Sequence, residues 1–175
     1  MKSDTEIPPL EELIVGESTE VLEPETSDDC RALSLLMAQQ ALNRVRIVSR
    51  NLDAKLFDDE AFVEAIKQLV LKRSSSRVEI IVKDSGPLMR RGHRLVTLAQ
   101  RLSSYIEIRR PGRQHRTFNA AYFVVDSCAY IDRTFADRYE GTACFNDPRT
   151  ARAMLSTFDD MWQAGEPDLN LRRLR

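Results

Sequence analysis

The chain has 175 residues, 42% of them apolar, and a formal net charge of −1, which fits one domain long enough to bury a sizeable core. Its three cysteines, Cys30, Cys128 and Cys144, form no CxxC, and His93 and His115 are its only histidines, so neither a disulfide framework nor a zinc site nor any other cofactor is expected. Met1 to Glu12 is acidic and no apolar run reaches spanning length, which predicts a soluble cytoplasmic protein with no membrane contact.

The small net charge conceals an asymmetry. Residues 1–29 hold 10 acidic residues and one lysine, which leaves 25 basic against 17 acidic residues in 30–175. The division predicts an acidic, partly disordered leader over 1–29 and a basic domain over 30–175. Such a leader is either a solvated tail or a segment that folds back over a basic groove and competes with an anionic ligand. Within it, Leu13-Ile14-Val15 before Gly16 suits a short strand or a tether.

In chain order, Thr26 to Asp29 offers helix-capping residues before Leu33, Leu36, Met37 and Leu42, which recur at helical spacing. Arg44 to Ser49 alternates basic and apolar residues and reads as a strand. The loop after it carries Arg50, Asp53 and Lys55 just past a strand end, where open α/β sheets place ligands; its simpler reading is a connection that caps the next helix. Asp58 or Asp59 caps that helix, which buries Phe62, Ile66, Leu69 and Val70. Val78 to Asp84 is apolar enough for a strand covered on both faces, and strand, helix, strand implies a parallel pair.

Gly86-Pro87 is expected to break the chain before a helix from Met89 to Ser103. Its first turn places Arg90, Arg91, His93 and Arg94 together at the positive end of a helix, which suits a phosphate or carboxylate; the plainer reading is solvated arginines. Tyr105 to Arg109 is the next strand. A basic turn follows, with Arg109, Arg110, Arg113, His115 and Arg116 around Pro111-Gly112. With only Phe118 nearby, it lacks the aromatic platform of a single-strand binder.

Thr117 to Asn146 contains three strand-like runs, Phe118 to Asp126, Cys128 to Arg133 and Thr142 to Asn146. The first two read as an antiparallel pair with a tight turn. Asp147 as N-cap and Pro148 at the first position then start a helix striped by Ala151, Met154, Leu155, Phe158 and Trp162. The tail from Pro167 is basic, with Leu169, Leu171 and Leu174 available to order it. No glycine pair forms a GxG, and no Gly-x-Ser-x-Gly elbow occurs, which argues against Walker, Rossmann and acetyl-CoA loops and against an α/β-hydrolase.

The central stretch resembles the phospholipase D-like phosphodiesterases, whose strand pattern H-x-K-x4-D is followed by G-S-x-N. With Asp126 as the aspartate, the histidine position holds Asn119 and the lysine position Ala121. Gly141 and Thr142 match the Gly-Ser, and Cys144 stands at the asparagine. FDDMW, Phe158 to Trp162, also matches a helix ending that follows the family's second element. The resemblance implies a mixed β-sheet flanked by helices, a phospholipase D-like half. It also implies a homodimer, because single-copy members pair across a two-fold axis, which would pass near Asn119 and Asp126.

A carboxamide cannot attack phosphorus, and a methyl group cannot neutralise phosphate oxygens. The resemblance therefore implies a degenerate half-site without phosphodiesterase chemistry. It is similar, too, to a single-copy bacterial domain found beside acetyltransferase domains. The expected function is a non-catalytic, homodimeric binding module for an anionic ligand or a protein partner. The alternative is a nucleic-acid binder that uses Arg90, Arg91, Arg94, Arg109, Arg113 and Arg116. A remodelled phosphodiesterase or acyltransferase would have to draw on Asp126, Cys144 and His115, and nothing in the sequence places a base beside Cys144.

Overall fold

The two runs richest in valine and isoleucine pair with each other. Arg44–Ser49 (β1) and Arg77–Val82 (β2) lie parallel at the middle of the sheet, Val45 against Val78 and Ile47 against Ile80. A parallel pair needs a crossover, and here it contains α2 (Ala54–Phe57) and α3 (Glu60–Lys72). The computed structural model describes residues 7–172; the first residues of the leader and Leu174 lie outside them.

Ile106–Arg110 (β3) joins β2 in parallel, while Ala121–Val125 (β4), Ala129–Arg133 (β5) and Thr142–Cys144 (β6) extend the other side antiparallel. Glu166–Pro167 (β7) closes the far edge against β3, giving the order β6-β5-β4-β1-β2-β3-β7. One face of this mixed sheet is covered by α1 (Ser27–Gln40), α3 and α5 (Arg94–Arg101), around Ile47, Phe62, Ile66, Ile80, Leu95 and Phe123. The other is covered by α6 (Pro148–Ala164), which packs Ala151, Phe158 and Met161 on Val48, Ile81, Tyr122 and Val124. The stripe of α3 is buried at the four positions its spacing predicts. On α6, Trp162 is only half-buried and Met161 fills the core position beside Phe158.

The caps follow local chemistry. Thr26 and Asp29 form a reciprocal capping box on α1, Asp59 caps α3, and Asp147 caps α6 with Pro148 behind it. Leu42 falls past the end of α1 and is exposed. The loop after β1 is not all loop, because Asp53 caps the short α2 and also accepts a hydrogen bond from Tyr139 Oη at 2.7 Å. On the tail, α7 (Leu169–Arg172) buries Leu171 and leaves Leu169 exposed.

The expected helix from Met89 to Ser103 is two helices. Gly86–Arg91 forms α4, with Pro87 in its first turn rather than a break before it, and Gly92 at φ 73° turns the chain into α5. Proline fits there because its missing N–H would have no partner in the first turn.

The leader, from Leu13 on, is part of the sheet's margin. Leu13 and Leu22 are buried, Leu22 forms a bridge with Ala143, and the carbonyls of Phe145 and Pro24 accept from the N–H groups of Gly16 and Gly141. The segment thereby occupies the open edge of β6, which would otherwise offer unpaired backbone groups. The expected boundary at residue 30 falls inside α1. This edge is the opposite one from β3 and β7, so the described leader does not lie over the basic turn of residues 109–116, and a fold-back onto it is not seen.

Candidate functional site

The motif positions lie at two ends of one strand. Asn119 precedes β4 and is exposed; Ala121 begins it; Asp126 follows its last residue. An extended chain of that length separates Asn119 from Asp126 by about 20 Å. A two-fold axis near both positions would therefore have to run along β4.

Asp126 is a fastener. It and Ser127 occupy the centre of the β4–β5 turn at φ 51° and 61°, and Cys128 N–H donates to Val125 O across it. The Asp126 carboxylate accepts from the N–H groups of Leu42, Asn43 and Arg44 at 2.6, 2.8 and 2.9 Å, tying the turn to the start of β1. Gly141 is structural as well: a Cβ there would collide with the backbone carbonyl of Asp132.

At the other end of β4 the motif positions do not converge. Ala121 faces α1 and α2, in a narrow, mostly apolar pocket lined by Leu56, Phe57, Phe123 and Ile131, with Ser34 and Arg133 as polar members. Thr142 and Cys144 pair with Asp132 and Tyr130, and Cys144 lies in the cluster under α6, on the opposite face. Across from Ala121 stands Arg133, only 5% exposed. Its guanidinium donates to the carbonyls of Ala136 and Arg138 and lies over the Tyr139 ring, so it folds the 134–139 loop onto the sheet.

The reactive set considered for a remodelled enzyme is not assembled. Asp126 is occupied as above, burial pushes the Cys144 thiol upward, and His115 sits in a 3-10 turn with Nδ1 buried and unpartnered. Cys30 is driven up to about 11, chiefly by burial. No group of three metal-ligating side chains occurs among the described residues.

The predicted basic residues divide in the same way. His93 is buried and caps α5: Nδ1 accepts from Leu95 N–H at 3.1 Å and Nε2 donates to Leu52 O at 3.0 Å. Arg94 pairs with Asp58. Arg90 and Arg91 occupy the last turn of α4, its negative end, and not the start of a helix. Arg109 stacks 4.2 Å over Trp162, donates to Trp162 O and pairs with Glu107, so it fastens the end of α6.

Arg113 and Arg116 remain, and they line a wide cleft at the carboxyl end of β2 and β3, with Lys83, Arg110, Gln114 and Glu166. Arg110 pairs with Glu166 at 3.7 Å. Lys83 Nζ is half-buried and donates to Phe118 O, and Arg113 and Arg116 are exposed with no side-chain partner among the described residues. The turn that carries them is held by bonds from His115, Arg116 and Phe118 N–H to Gly112, Arg113 and His115 carbonyls. Gly112 seats this turn against the end of α6, where a Cβ would stand 2.5 Å from Ala164 O. In the sequence Lys83 stands as the tail of an apolar run, and its position just past the end of β2 is the one signal that points to it.

With the geometry established, comparison with known proteins places the fold. A family profile described as Domain of unknown function (DUF7931) matches residues 26–174. The chain belongs to this family. No curated protein matches it. Among solved structures, this DUF7931 chain resembles TrmBL2, described as an archaeal chromatin protein with a novel mode of DNA binding, with a TM-score of 0.61 and 14% identity over 94% of the chain. The chain spans 56% of that protein. It resembles the phospholipase D family member Nuc from Salmonella typhimurium with a TM-score of 0.57 and 18% identity, covering 85% of this chain and 97% of Nuc. NucT from Helicobacter pylori gives 0.57 and 16%, covering 85% and 99%. At these identities the likeness is one of fold: DUF7931 here has the phospholipase D-like α/β architecture. No helix among the described residues is long and apolar enough to cross a membrane.

Proposed function

We propose that the protein is a non-catalytic phospholipase D-like module that binds an anionic ligand in the cleft of Lys83, Arg110, Arg113 and Arg116. The observation that carries this reading is the cleft's charge: four cations line it against one carboxylate, and that carboxylate is engaged by Arg110. Asn119 and Ala121 supply neither a nucleophile nor a cation at the motif positions, so the ligand is held and not cleaved. The test is binding of a fluorescent polyanion at low salt, together with a hydrolysis assay on a chromogenic phosphodiester. Binding without turnover supports the reading; absence of binding, or turnover that tracks the protein through purification, sinks it.

Nucleic acid is the second reading for the same cleft. It is favoured by the likeness to a protein described as binding DNA. Three cations free of carboxylates would then give an affinity that falls with salt at a logarithmic slope of roughly −3. The homodimer implied by the single motif copy belongs to this proposal, with the exposed Phe135 beside Asn119 as part of the contact: Phe135 is 50% exposed, and Ala136 N–H donates to Asn119 O. Light scattering that gives a monomer at every concentration would remove the dimer and leave the cleft untouched.

A further inference from the structure

The cleft differs from an ordinary basic surface in how its charges are arranged. Because Arg110 is matched by Glu166, Lys83, Arg113 and Arg116 leave an excess of about three positive charges facing one space. A phosphodiester brings one negative charge, whereas a phosphomonoester brings about 1.5 to 2 near neutral pH, with three acceptor oxygens. The donors suit the second. Lys83 spends one N–H on Phe118 O and has two more to give, and two guanidinium groups add forked donors.

The cleft is also prepared before any ligand arrives. The 3-10 turn is hydrogen-bonded through its length, and Gly112 lets it pack close against Ala164, so the backbone needs little ordering and the cost that remains is the side-chain freedom of the exposed Arg113 and Arg116. Among the described residues no aromatic side chain lines the space, which removes base stacking as a source of affinity. Recognition by charge alone, with more positive charge than one diester can match, favours the end of a phosphorylated molecule over the middle of a chain.

We infer that the cleft is a seat for a phosphomonoester dianion, either free phosphate or a terminal phosphate on a larger molecule, with Lys83 at its inner end. This rests on the anion-binding reading above and narrows it. The experiment uses the full chain and two fluorescent oligonucleotides of one sequence, one with a 5′-phosphate and one with a 5′-hydroxyl, with inorganic phosphate as competitor. The phosphorylated strand should bind at least tenfold more tightly, and that preference should shrink as pH falls below about 6, where the dianion takes up a proton. Inorganic phosphate should displace it; competition by phosphate at the same affinity as the strand would identify the free ion as the source, and much weaker competition the phosphorylated end.

Lys83→Met should lower the preference several-fold, and Arg113→Ala with Arg116→Ala should abolish it, with far-ultraviolet dichroism confirming that both variants fold. Equal binding of the two oligonucleotides would overturn the inference and leave the anion-binding reading standing. No binding of either strand or of phosphate would overturn both.

Discussion

The two ends of β4 hold the two kinds of residue that a motif contains. At one end the Asp126 carboxylate holds three backbone N–H groups at the start of β1. At the other, Asn119 faces solvent and Ala121 faces a pocket already occupied by Arg133. The first end is part of the folding problem, because without the carboxylate three amides lose their partner. The second is free of that duty, and there the residue types that phosphodiester chemistry needs are missing. Aspartate and glycine positions of a catalytic motif can thus be required by the backbone alone, so a sequence match at Asp126 and Gly141 carries information about fold and none about turnover.

The largest effect that would break this comparison lies at Asp126. Asp126→Ala removes three charge-assisted hydrogen bonds and places alanine at φ 51°, and should destabilise the fold by about 3 kcal/mol or more. Asp126→Asn keeps an acceptor oxygen and tolerates the left-handed backbone, and should lose about half as much. Chemical denaturation measures both, and an alanine variant as stable as the parent would mean that the carboxylate does not fasten the sheet.

At the opposite end the informative change adds a residue type. Ala121→Lys drives a cation into a site 4% exposed, against Arg133, Phe57 and Leu56. Overpacking and like-charge repulsion should destabilise it by about 2–3 kcal/mol. Asn119→His with Ala121→Lys should yield no phosphodiester hydrolysis, because Thr142 and Cys144 lie on the other face of the sheet. Measurable turnover by the double variant would show that the frame needs only its two missing residues.

What the sequence makes legible follows from the range of the physics involved. The stripe of α3, the caps at Thr26, Asp59 and Asp147 and the β4–β5 turn depend on neighbours within a few residues, and periodicity reports them. The split of α4 from α5 escapes the sequence pattern because Gly86-Pro87 has the form of a break while a proline also fits a helix's first turn. The partition of the arginines could not be read at all. Arg109 and Arg113 look alike in a basic turn, and only the end of α6, 53 residues on from Arg109, engages one and leaves the other open to the cleft. Lys83 and Glu166 meet the cleft through sheet order, which no local pattern encodes.

The smallest effect concerns His93, which in sequence stands among the candidate anion-binding residues. Burial holds its imidazole below the usual histidine value of 6.5, opposed by Asp58 and Asp53 and reinforced by Arg94. The two ring bonds require the neutral form with the proton on Nε2, since Nδ1 accepts from Leu95 N–H. The unfolded chain therefore binds more protons than the folded one once pH drops below about 6.5. This contribution to stability is complete above that pH and is lost as pH falls towards the lower folded value, at up to about 1.4 kcal/mol per pH unit. The capping carboxylates Asp29 and Asp59, held low by hydrogen bonds against the opposing effect of partial burial, lose theirs only below about pH 4. In denaturation between neutral pH and about 5 the histidine's loss is opposed by Asp132, whose carboxyl is pushed up by burial so that the folded chain there gains protons. His93→Asn, which keeps a side-chain cap, should remove the loss and leave a flat or reversed slope. A slope unchanged by this variant would assign the loss to other groups.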